Sequence, residues 1–265
     1  MKGKRMAVLS VVVANMLVVV ALAALGAGQA GGAGAAGLDT APRQVVTQTV
    51  NLAPSKDNTL YESELGTLSN GKGEYLFAGN NNNGAARRAV LAFDVAGALP
   101  AGATVITAEL TLRMSKGQLG APPAAVSLHA LQKEWGEGAS DAIGEEGAGA
   151  LAQTGDATWL HSFFDTATWA QPGGDFGAAL ATTMVGQPDT YTWASAALSA
   201  DVQAALDSPA NHYGWLVLGD ESGNGAARRF DSRENATVAD RPRLTITYSA
   251  EAAAAQRAFV PVVMR

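Results

Sequence analysis

The stretch TVITAELTLRM, residues Thr104–Met114, alternates polar and apolar side chains with a period of two. Successive side chains of a strand point to opposite faces, so this pattern marks a strand with one face in a core and one toward water. Eight other stretches share its short, β-branched character: VVTQTVNL (Val45–Leu52), EYLFAG (Glu74–Gly79), RAVLAFDV (Arg88–Val95), AVSLHAL (Ala125–Leu131), TYTW (Thr190–Trp193), GWLVLGD (Gly214–Asp220), RRFDSRE (Arg228–Glu234) and RLTITYS (Arg243–Ser249). Loops rich in Gly, Pro and Asn separate them. Nine such strands without alternating helices predict an all-β fold, an antiparallel sandwich or jelly roll.

Two segments break the pattern. Ser199–Asp207 has Val202 and Leu206 four apart on one stripe, predicting a single short helix with Ser199 as its N-cap and Ser208-Pro209 as its stop. Glu134–Ala181 reads as one long loop, acidic and Gly-rich at first and aromatic later, a length that usually signals function or poor order. The hexapeptide NGAARR occurs twice, at Asn83–Arg88 and Asn224–Arg229. Each copy supplies an Asn-Gly turn, two small residues that allow close backbone approach, and two arginines entering a strand. The copies read as two strand entrances at one end of the same fold, since their flanks do not match.

The chain has 265 residues, 30 glycines and no cysteine. Lys2, Lys4 and Arg5 precede an apolar run from Met6 to Leu25 and the small-residue exit Gly28-Gln29-Ala30. Residues 1–30 are therefore read as an export signal, cleaved near Ala30 or kept as an anchor, with the body outside the cytoplasm. Residues 31–44 read as a flexible spacer, 45–249 as the β-sandwich domain, and 250–265 as a second spacer ending in an apolar tail. An exported domain without disulfides relies on core burial. Removing the three leader cations takes the formal charge from -6 to -9. An acidic chain with no basic stripe argues against nucleic acid as a partner.

The runs DNTLYES and LSNGKGEYLFAG within Asp57–Gly79, then RRAVLAFDVAGALPAGATVITAELTL (Arg87–Leu112), resemble the opening of the DNRLRE domain family. GDATWLHSFFDTATWAQPGGDF (Gly155–Phe176) and YGWLVLGDE with RRFDSRENATVADRPRLTITY (within Tyr213–Tyr248) look like the same family, so the resemblance covers most of Val45–Ser249. That family is similar to polysaccharide-binding modules of secreted bacterial proteins. The resemblance implies a non-catalytic β-sandwich, some of whose members have carbohydrate-binding roles; fold alone does not fix function. The end, AFVPVVMR (Ala258–Arg265), resembles the short tails that close exported proteins of Chloroflexi-type bacteria. It is an apolar, β-prone segment that would pair with a cell-surface or self-assembly partner, or with this domain's own edge.

His129, His161 and His212 have no zinc spacing, and neither a Gly-x-Ser-x-Gly elbow nor a Walker loop occurs. The chain is read as non-catalytic, with a polysaccharide hydrolase or lyase as a remote alternative and a structural or adhesive surface protein as a nearer one. Calcium is the candidate cofactor, because Asp57, Asn58 and Glu62 cluster as hard oxygen donors, and Glu134, Glu137 and Asp141 form a second acidic group. The candidate ligand-binding residues are Trp159, His161 and Trp169, whose rings could stack on sugar faces, with Arg88 and Arg229 bonding hydroxyls or carboxylates. Rings of this size also bury large areas, and packing of the long loop against the sheet is the favoured alternative. Likewise the arginines would pair with Asp94, Asp231 or Glu234 of neighbouring strands.

Overall fold

The computed structural model describes residues 44–252; the leader, nearly all of the first spacer and the apolar tail lie outside them. Fifteen strands and two helices follow in order: β1 Val45–Leu52, β2 Lys56–Tyr61, β3 Leu68–Ser69, β4 Tyr75–Asn80, β5 Ala86–Ala92, α1 Val95–Ala98, β6 Thr104–Lys116, β7 Ala124–Leu131, β8 Ala150–Leu151, β9 His161–Phe163, β10 Ala167–Thr168, β11 Phe176–Val185, β12 Asp189–Ala194, α2 Ala196–Asp207, β13 Trp215–Leu218, β14 Arg228–Asp231 and β15 Arg243–Glu251. Eleven of the strands form one curled sheet, in the order β1-β15-β6-β14-β4-β5-β13-β7-β11, with β12 also on β6 and β2 also on β5. The curl folds the sheet into two layers, an antiparallel β-sandwich. One layer is built around β6; the other comprises β2, β5, β13, β7 and β11. The layers join where the tip of β4 crosses to β5, pairing Gly79 with Arg87 and Asn80 with Ala86.

The alternation in β6 does what its pattern requires. Ala108, Leu110, Leu112 and Met114 face the core with Phe230, Leu244 and Ile246, and meet Leu91, Leu128, Trp215 and Val217 of the other layer. Glu109, Thr111 and Arg113 project from the opposite face. The β5 layer behaves differently, because it is buried on both sides. Ala89 and Leu91 belong to the main core, whereas Val90 and Ala92 belong to a second core with Leu60, Leu131, Trp135, Trp159, Trp169 and Leu216. A strand covered on both faces reads as a continuous apolar run, as AVLAF does here.

Helix α2 begins a turn earlier than the sequence predicts. Its N-cap is Ser195, whose Oγ accepts from Leu198 N at 2.9 Å. Ser199 faces the sheet instead. Its Oγ accepts from Ala108 N (3.0 Å), and Gln203 Oε1 accepts from Val105 N (2.7 Å). β12 pairs with β6 only over Glu109–Met114. The helix therefore satisfies the stretch of the β6 edge that β12 leaves uncovered, while burying Leu198, Val202, Ala205 and Leu206.

The two NGAARR copies sit against each other at one end of the sandwich. Gly225 N donates to Asn81 O (2.9 Å) and Ala227 N to Asn80 O (2.8 Å). Gly84 and Gly225 hold φ values of +82° and +75°, and a Cβ on Gly84 would lie 2.9 Å from Asn224 Oδ1. In each copy the first arginine is buried and the second, Arg88 or Arg229, projects from the other face of its strand. The expected pairing with Asp94, Asp231 or Glu234 is not formed. Asp94 instead caps α1 by accepting from Gly97 N (2.9 Å), which ends the β5 strand at Ala92.

Six strands are additional to the nine expected: β3, β8, β9 and β10 form two short pairs, and β2 and β11 join the main sheet. β2 lies in the run read as a calcium cluster, and β11 takes the last residues of the expected long loop. Replacing Ser195 by Ala removes the true cap and should cost about 1 kcal/mol of unfolding free energy in urea denaturation.

Candidate functional site

The segment 132–175 covers the outer face of the β5 layer and carries most of the candidate residues. Its hydrophobic anchors are Trp135, Trp159 and Trp169, packed with Leu60, Val90 and Leu216. Trp135 Nε1 donates to Tyr213 O (2.8 Å) and Trp169 Nε1 to Thr158 O (2.9 Å), so neither indole N–H is left without a partner. Trp159 and Trp169 are only 8% and 5% exposed. These rings hold the segment down and do not form a flat exposed platform. His161 sits behind them, with Nδ1 3.1 Å from Thr158 Oγ1 and its ring edge-on to Phe164.

A set of buried polar groups fastens the same segment. Asn58 Nδ2 donates to Glu137 O (2.8 Å) and to Ser69 Oγ (2.9 Å), and Asn58 Oδ1 accepts from Asn70 N (3.0 Å). Glu146 accepts from Asn70 Nδ2 (2.8 Å), Glu74 N (3.1 Å) and Tyr75 N (3.0 Å). Burial raises the Glu146 carboxyl above its ordinary range, against those three donors. Asn58 is therefore committed to structure. It projects from the face of β2 opposite Asp57, so the two cannot act as adjacent ligands.

Arg88 lies where the segment returns to the sheet. Its Nε and Nη2 make a two-point contact with Glu221 Oε1 and Oε2, both at 2.8 Å, and Nη1 donates to Gly173 O (2.9 Å). The guanidinium lies 4.7 Å from the Trp159 ring centre and 5.4 Å from that of Phe176. Two shallow depressions open on either side of this stack. One, of about 560 Å³, is bordered by Arg88, Gln132, Lys133, Gln171, Asp175 and Phe176. The other, of about 480 Å³, is bordered by Glu62, Ser63, Glu64, Asn83, Trp159 and Leu160. Pro172 borders both, so the two depressions are neighbours, and the shallow groove they make is divided at that residue.

The groove thus brings together Arg88, Trp159 and Glu62 among the residues singled out by sequence. It leaves Arg229 on the other layer, over the Tyr75 ring at 3.8 Å and bonded to Glu145 Oε2 (2.7 Å) and Ser115 Oγ (3.1 Å). Glu62 accepts from Ala86 N at 2.6 Å. Gln132, Lys133, Gln171 and Asp175 escape a reading of the sequence, since loop residues carry no periodic signal. The Trp-Ala-Gln-Pro-Gly-Gly turn itself is the visible clue.

Asp57 belongs to a second constellation. Asp57, Glu137 and Glu234 each bring a carboxylate oxygen within 4.8 Å of the others. Arg233 is set among them: Nε donates to Glu137 Oε1 (2.7 Å) and lies 2.9 Å from Glu234 Oε1, and Nη2 donates to Glu137 Oε2 (3.0 Å). Asp57 Oδ2 accepts from Arg233 N (2.8 Å), and Asp57 N donates to Glu137 Oε1 (2.8 Å). Three carboxylates are a fitting oxygen set for a hard cation. Here a guanidinium already occupies both oxygens of Glu137, so the arrangement fits an internal ion-pair clamp better than a calcium cage. Glu134 bonds Lys56 instead. Burial, then the charge of Glu234, pushes the Asp57 carboxyl well above the ordinary carboxylate range, and burial raises Glu234 as well.

No protein-family model matches this chain, and no curated protein matches it. Among the described residues, no helix is long and apolar enough to cross a membrane.

The clamp has a signed consequence. Acids raised in the folded state bind protons more tightly there, so their stabilisation is full below the ordinary carboxylate range and is lost as pH rises through the raised values. Asp57→Asn keeps an acceptor for Arg233 N and removes the titration. As pH rises from the ordinary carboxylate range through the raised values, the wild-type melting temperature should fall more steeply than that of Asp57→Asn; parallel curves in thermal denaturation would contradict the assignment.

Proposed function

We propose that this chain is an exported, non-catalytic β-sandwich module that binds carbohydrate along the groove at Pro172. The observation that carries the reading is the pair of neighbouring depressions on either side of Pro172 and the Arg88–Trp159 stack. Both depressions are shallow and open, which suits a polymer lying across the surface rather than a small molecule that is enclosed. Its borders supply carboxylates (Glu62, Glu64, Asp175), amides (Asn83, Gln132, Gln171) and an ammonium (Lys133), the donors and acceptors that hydroxyl-rich rings need. Pro172, Leu160 and the edge of Phe176 supply apolar contact for sugar C–H faces. The basic leader with its apolar run supports export, and the resemblance of the quoted motifs to DNRLRE domains points to the same class.

A structural or adhesive surface role is the second reading. Among the described residues β1 pairs with β15 alone, which leaves its other edge open to an incoming strand. The apolar tail Ala258–Arg265 is one candidate strand for attachment.

Affinity electrophoresis of the chain in gels containing soluble neutral and acidic polysaccharides tests the first reading. At least one polysaccharide should retard the protein, and the double substitution Lys133→Ala, Gln171→Ala should weaken retardation by about tenfold, the loss of one or two polar contacts. Thr49→Ala, on the far layer, should leave it unchanged. Absence of retardation across the panel, or retardation indifferent to the groove substitutions, would favour the structural role.

A further inference from the structure

The first arginine of each NGAARR copy is buried, with Arg87 5% and Arg228 2% exposed. Their surroundings differ. Arg87 donates from Nε to Gly147 O (3.3 Å) and from Nη1 to Ala86 O (2.9 Å), and its guanidinium lies over the Tyr61 ring at 4.9 Å. The segment 132–175 closes over that side. Arg228 lies outside that segment, among the loops that follow β6 and β13. Its Nη1 donates to Ala226 O (3.0 Å) and its Nη2 to Pro122 O (3.2 Å), while Nε has no acceptor. Among the described residues Arg228 forms no ion pair, whereas both second arginines do. A guanidinium offers five N–H donors and keeps its charge. Burying one with two carbonyl partners and no carboxylate in contact is costly.

Arg228 forms part of the wall of a cavity of about 480 Å³ between the loops that follow β6 and β13. Pro122, Ala125 and Met184 make its apolar side, and Gln118 and Asn224 stand at its polar side with Asp220. Ser222 donates from Oγ (2.7 Å) and from N (2.9 Å) to Asp220 Oδ1, which holds that carboxyl below its ordinary range, aided by the charge of Arg228. The cavity therefore presents a fixed cation, a carboxylate acceptor and an apolar wall. We propose that it binds a small carboxylic acid with an apolar body and one hydroxyl or ammonium donor. The ligand carboxylate lies on Arg228, its donor meets Asp220, and its body rests against Pro122 and Met184. This site is distinct from the groove at Pro172 and does not depend on that reading.

Isothermal titration of the full chain with L-leucine, with L-2-hydroxy-4-methylpentanoate and with leucinol tests the proposal. At least one of the two acids should bind saturably, and which one does identifies the donor as ammonium or hydroxyl. Leucinol, without the carboxylate, should bind at least about tenfold more weakly, the loss of one charge-assisted contact. Arg228→Lys keeps the charge but loses the planar fork and should weaken binding by about tenfold. Should that variant fold poorly, Ala125→Trp fills the cavity from an exposed position; it should abolish binding with the melting temperature unchanged. The proposal is overturned if neither acid binds saturably, if leucinol binds as well as they do, or if a folded Ala125→Trp protein still binds.

Discussion

The β5 layer has two buried faces, and the rest of the molecule follows from that constraint. A sandwich normally leaves the outer face of each layer in water. Here Leu60, Val90, Ala92 and Leu216 point outward and are apolar, so the layer is soluble only while the segment 132–175 lies over it. The segment in turn has little regular structure to hold it. Three tryptophans give it an apolar underside, and buried polar contacts from Asn58, Ser69, Asn70 and Glu146 fix its position. Each of those polar groups is nearly inaccessible to water, so releasing the segment would strand several donors and acceptors at once. The cover is thus bound to the sheet by the cost of removing it as well as by the apolar area it hides.

The groove is a by-product of that covering. Where the segment turns back toward β11, Gly173 packs so closely that a Cβ there would lie 2.4 Å from Arg88 Nη1 and 2.7 Å from the Trp159 ring. The turn holds Pro172 proud of the stack, with a depression on either side. The borders of the groove are therefore loop side chains on a rigid base, which can vary without disturbing the core. The Asp57 clamp has a related role. It ties β2, the start of the covering segment and the chain after β14 together through Arg233, at sequence separations of 96 and 176 residues.

Much of the sandwich is legible in the sequence because one-sided strands advertise themselves. β1 and β6 alternate cleanly, and their edges can be placed nearly to the residue. β2 is hidden because Lys56, Asp57 and Asn58 look like a turn and become strand only when their side chains are satisfied by distant partners. β11 is hidden because Gly177, Ala178 and Ala179 give no contrast between faces. The helix is visible but its cap is misplaced by one turn, since Ser195 and Ser199 are equivalent by composition and differ only in what lies beside them. The hexapeptide shows its turn and the alternation of its arginines; their partners, Glu221 and Glu145, come from loops and cannot be foreseen. For the site, Arg88 and Trp159 are visible by residue type, whereas Lys133, Gln171 and Asp175 meet only after the segment folds back.

Native-state hydrogen exchange measures the central claim most directly, namely that the segment 132–175 is a fixed part of the fold. The informative amides are Gly136, Ala157 and Trp169, which bond to Ser162 O, Gly136 O and Leu160 O within the segment. If the cover is held as described, they exchange only with global unfolding, at the same free energy and denaturant dependence as Leu110 and Leu112 in β6. Exchange of these amides through a lower-energy opening, with the β6 amides still protected, would show that the segment lifts independently and would contradict the account.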